Sequence, residues 1–109
     1  MNHDNGDQLL MMLAALANPH RLRIIAALQN EGRIYVSQLA RDIGLSRPLT
    51  HLHLRKLEEA GLVRGQHEIA PDGKALNYYE PTAFSVTLTP QAIAAAALSL
   101  SDAANKTET

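Results

Sequence analysis

Ten consecutive residues, Arg47 to Lys56, gather three cationic side chains and two histidines with no acid among them. Arg55 can donate two parallel hydrogen bonds to a guanine edge, a contact that separates right from wrong bases by about 1–3 kcal/mol. His51 can donate to a base or a phosphate, and Lys56 suits a phosphate. Leu49 and Leu52 are wasteful on a surface that meets only water, but they match thymine methyl groups. The alternative for that pair is that one of them packs beneath a following hairpin. At roughly 100° per residue, Thr50, His53, Leu54 and Leu57 share one side of a helix, with Leu54 and Leu57 as core. Pro48, Leu49, His51, Leu52, Arg55 and Lys56 then share the other side. A solvated helix face often looks the same, so the charge pattern alone leaves both readings open.

The elements that would position these residues are legible on either side. Ser46 is a helix N-cap with Arg47 and Pro48 in the first turn, and Gly61 closes the helix. Upstream, VSQLARDIG (Val36 to Gly44) reads as a shorter helix capped by Ser37 and stopped by Gly44, with Leu45 anchoring the turn. Two helices joined by a short turn containing glycine outline a helix-turn-helix at residues 37–60, whose second helix enters the DNA major groove. Leu62 to Ile69 and Ala75 to Glu80 read as strands around the turn Ala70-Pro71-Asp72-Gly73-Lys74. A hairpin in that place, residues 62–80, is a wing. Arg64, His67 and Lys74 would lie along it within reach of phosphates or the neighbouring minor groove.

The remaining pattern predicts a helix from Asp7 to Ala17, then one capped by Asn18 with Pro19 in its first turn and a buried stripe of Leu22, Ile25 and Leu28. Gly32 ends the connection, and Ile34, Tyr35 and Val36 suggest a short strand. Thr89-Pro90 starts a last, alanine-rich helix, 90–102. The fold class is therefore mostly α with a small β-wing (α+β), in the order α-α-(short β)-α-α-β-β-α, as one domain over 1–109 with flexible ends at 1–6 and 103–109. Arg21 and Arg23 near the start of the second helix read as surface arginines, and His20 as a surface residue of its first turn. LLMMLAALA in the first helix is apolar all the way round, which a helix on a monomer surface should not be.

The net charge of −1 conceals a polarity along the chain. Residues 20–74 hold nine of the ten Lys/Arg against six Asp/Glu, while the ends hold one Lys and five acids. Phosphate affinity follows such a local excess more than the total. The chain has no cysteine, which excludes disulfides and thiolate metal sites and fits a reducing cytoplasm. The apolar run from Leu9 to Ala17 is about half of a membrane span, and the acidic start MNHDNGDQ is unlike an export signal. An enzyme is not expected either. There is no phosphate-cradling glycine loop, no clustered carboxylate pair and no Ser-His-Asp set, and His67 with Asp72 lies across an exposed hairpin.

Taken together, ALANPHRLRIIAAL (Ala15 to Leu28), VSQLARDIGLS (Val36 to Ser46), LHLRKLEEAGLV (Leu52 to Val63) and a hairpin closing on NYYEP (Asn77 to Pro81) resemble the ArsR/SmtB family of winged-helix regulators. The resemblance covers roughly two thirds of the chain in order and spacing, a judgement of pattern. It implies a homodimer in which the first and last helices of both subunits pack, here through Leu9, Leu10, Met12, Leu13, Leu16, Ile93, Ala97, Leu98 and Leu100. It also implies an inverted-repeat DNA operator contacted by Ser46, Arg47, Pro48, Leu49, His51, Leu52, Arg55 and Lys56, with Arg64, His67 and Lys74 from the wing. The chain departs from the family at Thr50, where an apolar residue is usual, and at Leu49 and Leu52, where small polar or basic ones are. The Thr50 hydroxyl must find a helix carbonyl or another partner. The competing reading is a winged-helix module for protein contact without specific DNA binding; Leu49 with Leu52 is its one hint.

Many relatives sense metals through cysteines on the third helix or an Asp/His/Glu set on the last. Here the third helix has no cysteine, and the last has no histidine and only Asp102. No resident cofactor is expected. His51 and His53, two apart on a helix, point to different faces and cannot chelate together, and His53 matches a half-buried family histidine with a packing role. His3 with the free amino terminus at Met1 could enclose Ni(II) or Cu(II) in a square-planar nitrogen set. The chain is similar to the nickel-responsive regulators of superoxide dismutase genes, which implies a nickel response through a separate sensor protein or an atypical site.

Overall fold

The computed structural model describes residues 5–101. It contains α1 (Gly6–Leu16), α2 (Pro19–Glu31), β1 (Ile34–Tyr35), α3 (Val36–Ile43), α4 (Arg47–Glu59), β2 (Val63–Ile69), β3 (Ala75–Pro81) and α5 (Pro90–Ala97). The strands form one antiparallel sheet in the order β1-β3-β2, with Tyr35 opposite Tyr78 and Gly65 opposite Tyr79. This is a winged helix, and the element order is the expected one. No single helix among the described residues is long and apolar enough to cross a membrane; α1 and α2 meet at 94°. Of the flexible ends expected at 1–6 and 103–109, residues 1–4 and 103–109, and with them His3 and Met1, lie outside the described residues, whereas Asn5 and Gly6 are the cap and the buried first residue of α1.

Local chemistry accounts for most helix ends. Asn18 accepts from the amides of His20 and Arg21, with Pro19 in the first turn. Ser46 accepts from the Leu49 amide, and its carbonyl takes the Thr50 hydroxyl at 2.8 Å, so the unusual threonine is satisfied inside its own helix. Gly44, at φ 73°, turns the chain out of α3, and the Leu45 amide reaches back to the Ala40 carbonyl.

Four boundaries or faces differ from the expectation. Helix α1 starts earlier, because Asn5 caps it through the Gln8 amide. Ser37 is not the cap of α3: the chain passes from β1 directly into the helix at Val36, which is buried, and Tyr35 occupies the cap position without a side-chain bond. The buried stripe of α2 is Ile24 and Leu28, while Leu22 is 54% exposed. Nearly every position of α2 from Leu22 to Leu28 is apolar, so the phase was ambiguous; Arg21, one turn before Ile24, takes the inward track. Helix α5 ends at Ala97, five residues early. There the Ser99 hydroxyl donates to the Ala96 carbonyl and accepts the Gly6 amide at 2.7 Å, and the last amides tighten to i→i−3 bonds.

Those bonds interlock α5 with the start of α1. A Cβ on Gly6 would stand 2.2 Å from the Ala96 carbonyl oxygen, so only glycine permits the approach. The Ser101 amide adds a bond to Asp7. Two residues expected at a dimer contact are instead used within the subunit: Met12 is buried in the core at 8% exposure, and Leu16 packs against it. Leu9, Leu10, Leu13, Ile93, Ala97 and Leu100, with Gly6 and Ala96, line an apolar groove of about 160 Å³ on the outer side. Leu98 is 90% exposed and stands off that groove.

The core joins Met12 and Ala15 of α1, Ile24 and Leu28 of α2, Leu39 of α3 and Leu54 and Leu57 of α4. Residues 82–89 belong to no helix or strand, and Phe84 and Val86 pack on this core. At its edge Arg21 corrects the surface reading. Its Nε donates to His53 Nδ1 at 3.1 Å, and Nη1 reaches the Ala14 and Ala15 carbonyls at 3.5 and 3.3 Å. One guanidinium thus ties the end of α1, the start of α2 and the middle of α4. His20 is also not a surface residue: it is half-buried, 5.6 Å from the His53 ring, with a buried Nδ1 that has no partner.

His53 is held neutral. Burial first, then the charges of Arg21 and His20, lower its pKa from 6.5. A histidine with a depressed folded-state value contributes stability above its unfolded pKa, and that contribution falls away as pH drops through the folded value. Stability is therefore expected to decline below pH 6.5, and His53→Gln, which keeps an acceptor for Arg21, to flatten that decline. Urea midpoints across the acid range check this, and identical slopes for the two proteins would refute it.

Candidate nucleic-acid interface

Helix α4 is the centre of the candidate site. Thr50, His53, Leu54 and Leu57 face the core, as the spacing predicts, with His53 the least buried at 6%. Arg47, Pro48, Leu49, Leu52, Arg55 and Lys56 are exposed on the other side, and His51 is half-exposed. Leu49 and Leu52 retain 38% and 44% exposure, so neither is hidden under the wing. The ion pairs among the described residues are Arg33–Glu68 and Arg64–Glu80, so no carboxylate claims Arg47, Arg55 or Lys56 in this way.

The outward side has two edges. Lys56 borders a hollow with Met11, Ala14, Ala15, Arg21 and Glu59, on the side of α1 and α2. His51 and Glu58 face the opposite way, toward the wing, across a polar hollow of about 160 Å³ lined by Gly65, Gln66, His67, Asn77 and Tyr79. Lys56 and His51 therefore flank the helix, whereas Pro48, Leu52 and Arg55 lie along its crest.

Alternation along β2 sorts the wing residues. Gly65, His67 and Ile69 share the face turned toward α4, together with Tyr79, Asn77 and Ala75 opposite them. His67 Nδ1 is hydrogen-bonded to the Asn77 side-chain oxygen. Lys74 is exposed in the turn, where Asp72 caps its amide and Gly73 takes φ 88°. Arg64 falls on the other face, where its guanidinium is tied to Glu80 at 3.0 Å by both Nε and Nη2. Arg64 and His67, expected side by side along the wing, are thus placed on opposite faces by the strand period, and Arg64 is paired with Glu80. That outer face also holds Arg33 over the Tyr78 ring at 4.0 Å and Tyr35 bonded to Glu68.

The sequence reading missed Glu58, Gly65, Asn77 and Tyr79. The Glu58 carboxylate accepts the Gly65 amide at 3.2 Å, and burial followed by the Glu58 charge raises the Tyr79 pKa above its usual 10.0. The two-residue alternation would have found Asn77 and Tyr79 once His67 was placed. Glu58 carried no such signal. Among the described residues no group of three or more His, Asp or Glu could hold a metal.

Residues 18–64 match the bacterial regulatory protein, arsR family. An HTH-type transcriptional regulator of Methanocaldococcus jannaschii is 42% identical over 55 residues, which are 50% of this chain and 57% of that protein. The leucine-responsive regulatory protein of Rhizobium meliloti is 40% identical over 57 residues, 52% of this chain and 36% of that protein. This chain thus spans less than two thirds of either curated relative. Among solved structures, NolR from Sinorhizobium fredii superposes with a TM-score of 0.60 at 27% identity, over 81% of this chain and 76% of that one. The matched family and relatives are regulators of transcription rather than enzymes.

Proposed function

Because residues 18–64 match the arsR family of bacterial regulatory proteins, we propose that this chain is a sequence-specific, DNA-binding transcriptional regulator acting as a homodimer in the cytoplasm. One observation carries the reading: α4 buries Thr50, His53, Leu54 and Leu57 and thereby presents Leu49, Leu52, Arg55 and Lys56 together on the opposite side. In a major groove Arg55 reads a guanine edge, the leucines meet thymine methyls, and Lys56, Arg47 and the wing's Lys74 and His67 hold the backbone. Arg64, being turned away, is left out of this set.

Twofold pairing is supported by the groove between α1 and α5, a continuous apolar surface of a kind that calls for a partner. A twofold dimer places two α4 helices about 34 Å apart on an inverted repeat. Response to nickel, through a separate sensor protein or through the Met1 amine with His3, belongs to the same proposal. Exposed Leu49 and Leu52 favour the second reading, a protein-contact module. A gel shift on the DNA upstream of its own and neighbouring genes separates the two, since a module of that kind binds no duplex tighter than random DNA.

Arg55→Ala is expected to cost about 1–3 kcal/mol of binding and to relax the preference at one base pair per half-site. Equal loss on all sequences in competition binding would reduce it to a phosphate contact. Leu9→Glu with Leu13→Glu places carboxylates in the apolar groove and is expected to halve the solution mass by light scattering; an unchanged dimer mass contradicts the pairing. For the amino terminus, calorimetric titration of Ni(II) should show one site lost in His3→Ala, and equal binding by both proteins removes that site.

A further inference from the structure

A carboxylate on the side of α4 that faces the wing is electrostatically unfavourable where DNA phosphates are to lie. Glu58 stands there, and the structure gives it a task. Strand β2 is the free edge of the sheet, so its outward amides have no ladder partner. The Gly65 amide is one of them, and Glu58 Oε2 accepts it at 3.2 Å. A hydrogen bond to an ionised acceptor is among the stronger kinds available at a surface.

The face of Gly65 turned toward α4 is covered as well. A Cβ there would lie 2.6 Å from Cε2 of the Tyr79 ring, so the ring rests directly on the glycine backbone. Tyr79 is cross-strand from Gly65 on β3, the middle strand, and its ring packs against the hydrophobic core. The edge strand is thus held by a carboxylate from α4 at its free amide and by a ring from β3 on the face toward the helix. Beyond this point the wing continues through His67 and Ile69 to Lys74.

We infer that Glu58 is a positioning residue that fixes the wing against α4, so that wing and helix engage one duplex at a set spacing. The inference rests on the DNA-binding reading above and extends it. Without the Glu58 bond, the outer part of the edge strand loses its direct tie to α4, and Lys74 no longer meets its phosphate when Arg55 meets its base.

Two measurements test this. Hydrogen exchange on the DNA-free protein reads the bond itself: the Gly65 amide exchanges about tenfold faster in Glu58→Ala and stays close to wild type in Glu58→Gln, which retains an acceptor. The second is a double-mutant cycle on the duplex that the wild-type protein selects from a random-sequence pool. Lys74→Ala lowers the salt slope of binding by about 0.9 in the wild-type background. In the Glu58→Ala background the same change has less than half that effect, and Glu58→Gln restores it. The cycle is needed because removing a carboxylate raises affinity for any duplex. A merely structural Glu58 would lower the melting temperature and leave the Lys74 effect intact in both backgrounds. That result, or unchanged Gly65 exchange, overturns the inference. Selection of no duplex by the wild-type protein overturns the DNA-binding reading and the role with it, while the exchange result still stands on its own.

Discussion

The rotational setting of α4 governs the rest of the molecule. Leu54 and Leu57 are fully buried, and the inward face also has to accept Thr50 and His53, two buried polar side chains that need partners. Each is answered locally: Thr50 by the Ser46 carbonyl one turn back, His53 by Arg21. Rotating α4 by one residue would expose buried leucines and take His53 away from Arg21, the lost partner alone costing about 1–3 kcal/mol, while Thr50 would keep the bond it makes within its own helix. Because the inward face is fixed so firmly, the outward one is fixed too, and Leu52 and Arg55 stand on its crest.

Arg21 extends this constraint beyond one helix. Its guanidinium reaches carbonyls at the end of α1 and the ring on α4, from the first turn of α2. Hydrogen bonds to a buried neutral histidine and to helix-terminal carbonyls use an arginine as a brace rather than as a surface charge. The same economy appears at the other end of α1, where Gly6 and Ser99 hold α5 close. The contact shortens α5 and leaves one outer groove lined by both helices.

The wing follows a different logic. Its inner face carries Tyr79, Asn77 and His67 toward α4, and its outer face carries a network of Arg33, Glu68, Arg64 and Glu80. Positive charge counted along this strand therefore overstates what is available to a ligand on the inner side, since Arg64 is committed to Glu80. Lys74, in the turn beyond the strands, is the cation the hairpin carries forward.

Much of this was legible in the residues. Caps at Asn18 and Ser46, stops at Gly32, Gly44 and Gly61 and the turn at Gly73 are local signals, because each depends on a backbone angle or a bond within a few positions. The two sides of α4 were legible too, because Leu54 and Leu57 recur at helical spacing opposite Arg55, even though Thr50 and His53 join the buried side and Leu49 and Leu52 the exposed one. Helix α2 was misphased because an almost continuous apolar run carries no such contrast. Arg21, His20 and Glu58 could not be placed from the sequence, since their partners lie on other elements, and charge on a helix surface looks the same whether or not something reaches across to it. The chain alone thus determined which segments are helices, where those ending at a glycine stop and which flank of α4 is cationic. Only the packed structure decided which cations are spent within the fold and which remain available, because that depends on distances between elements, which no local pattern encodes.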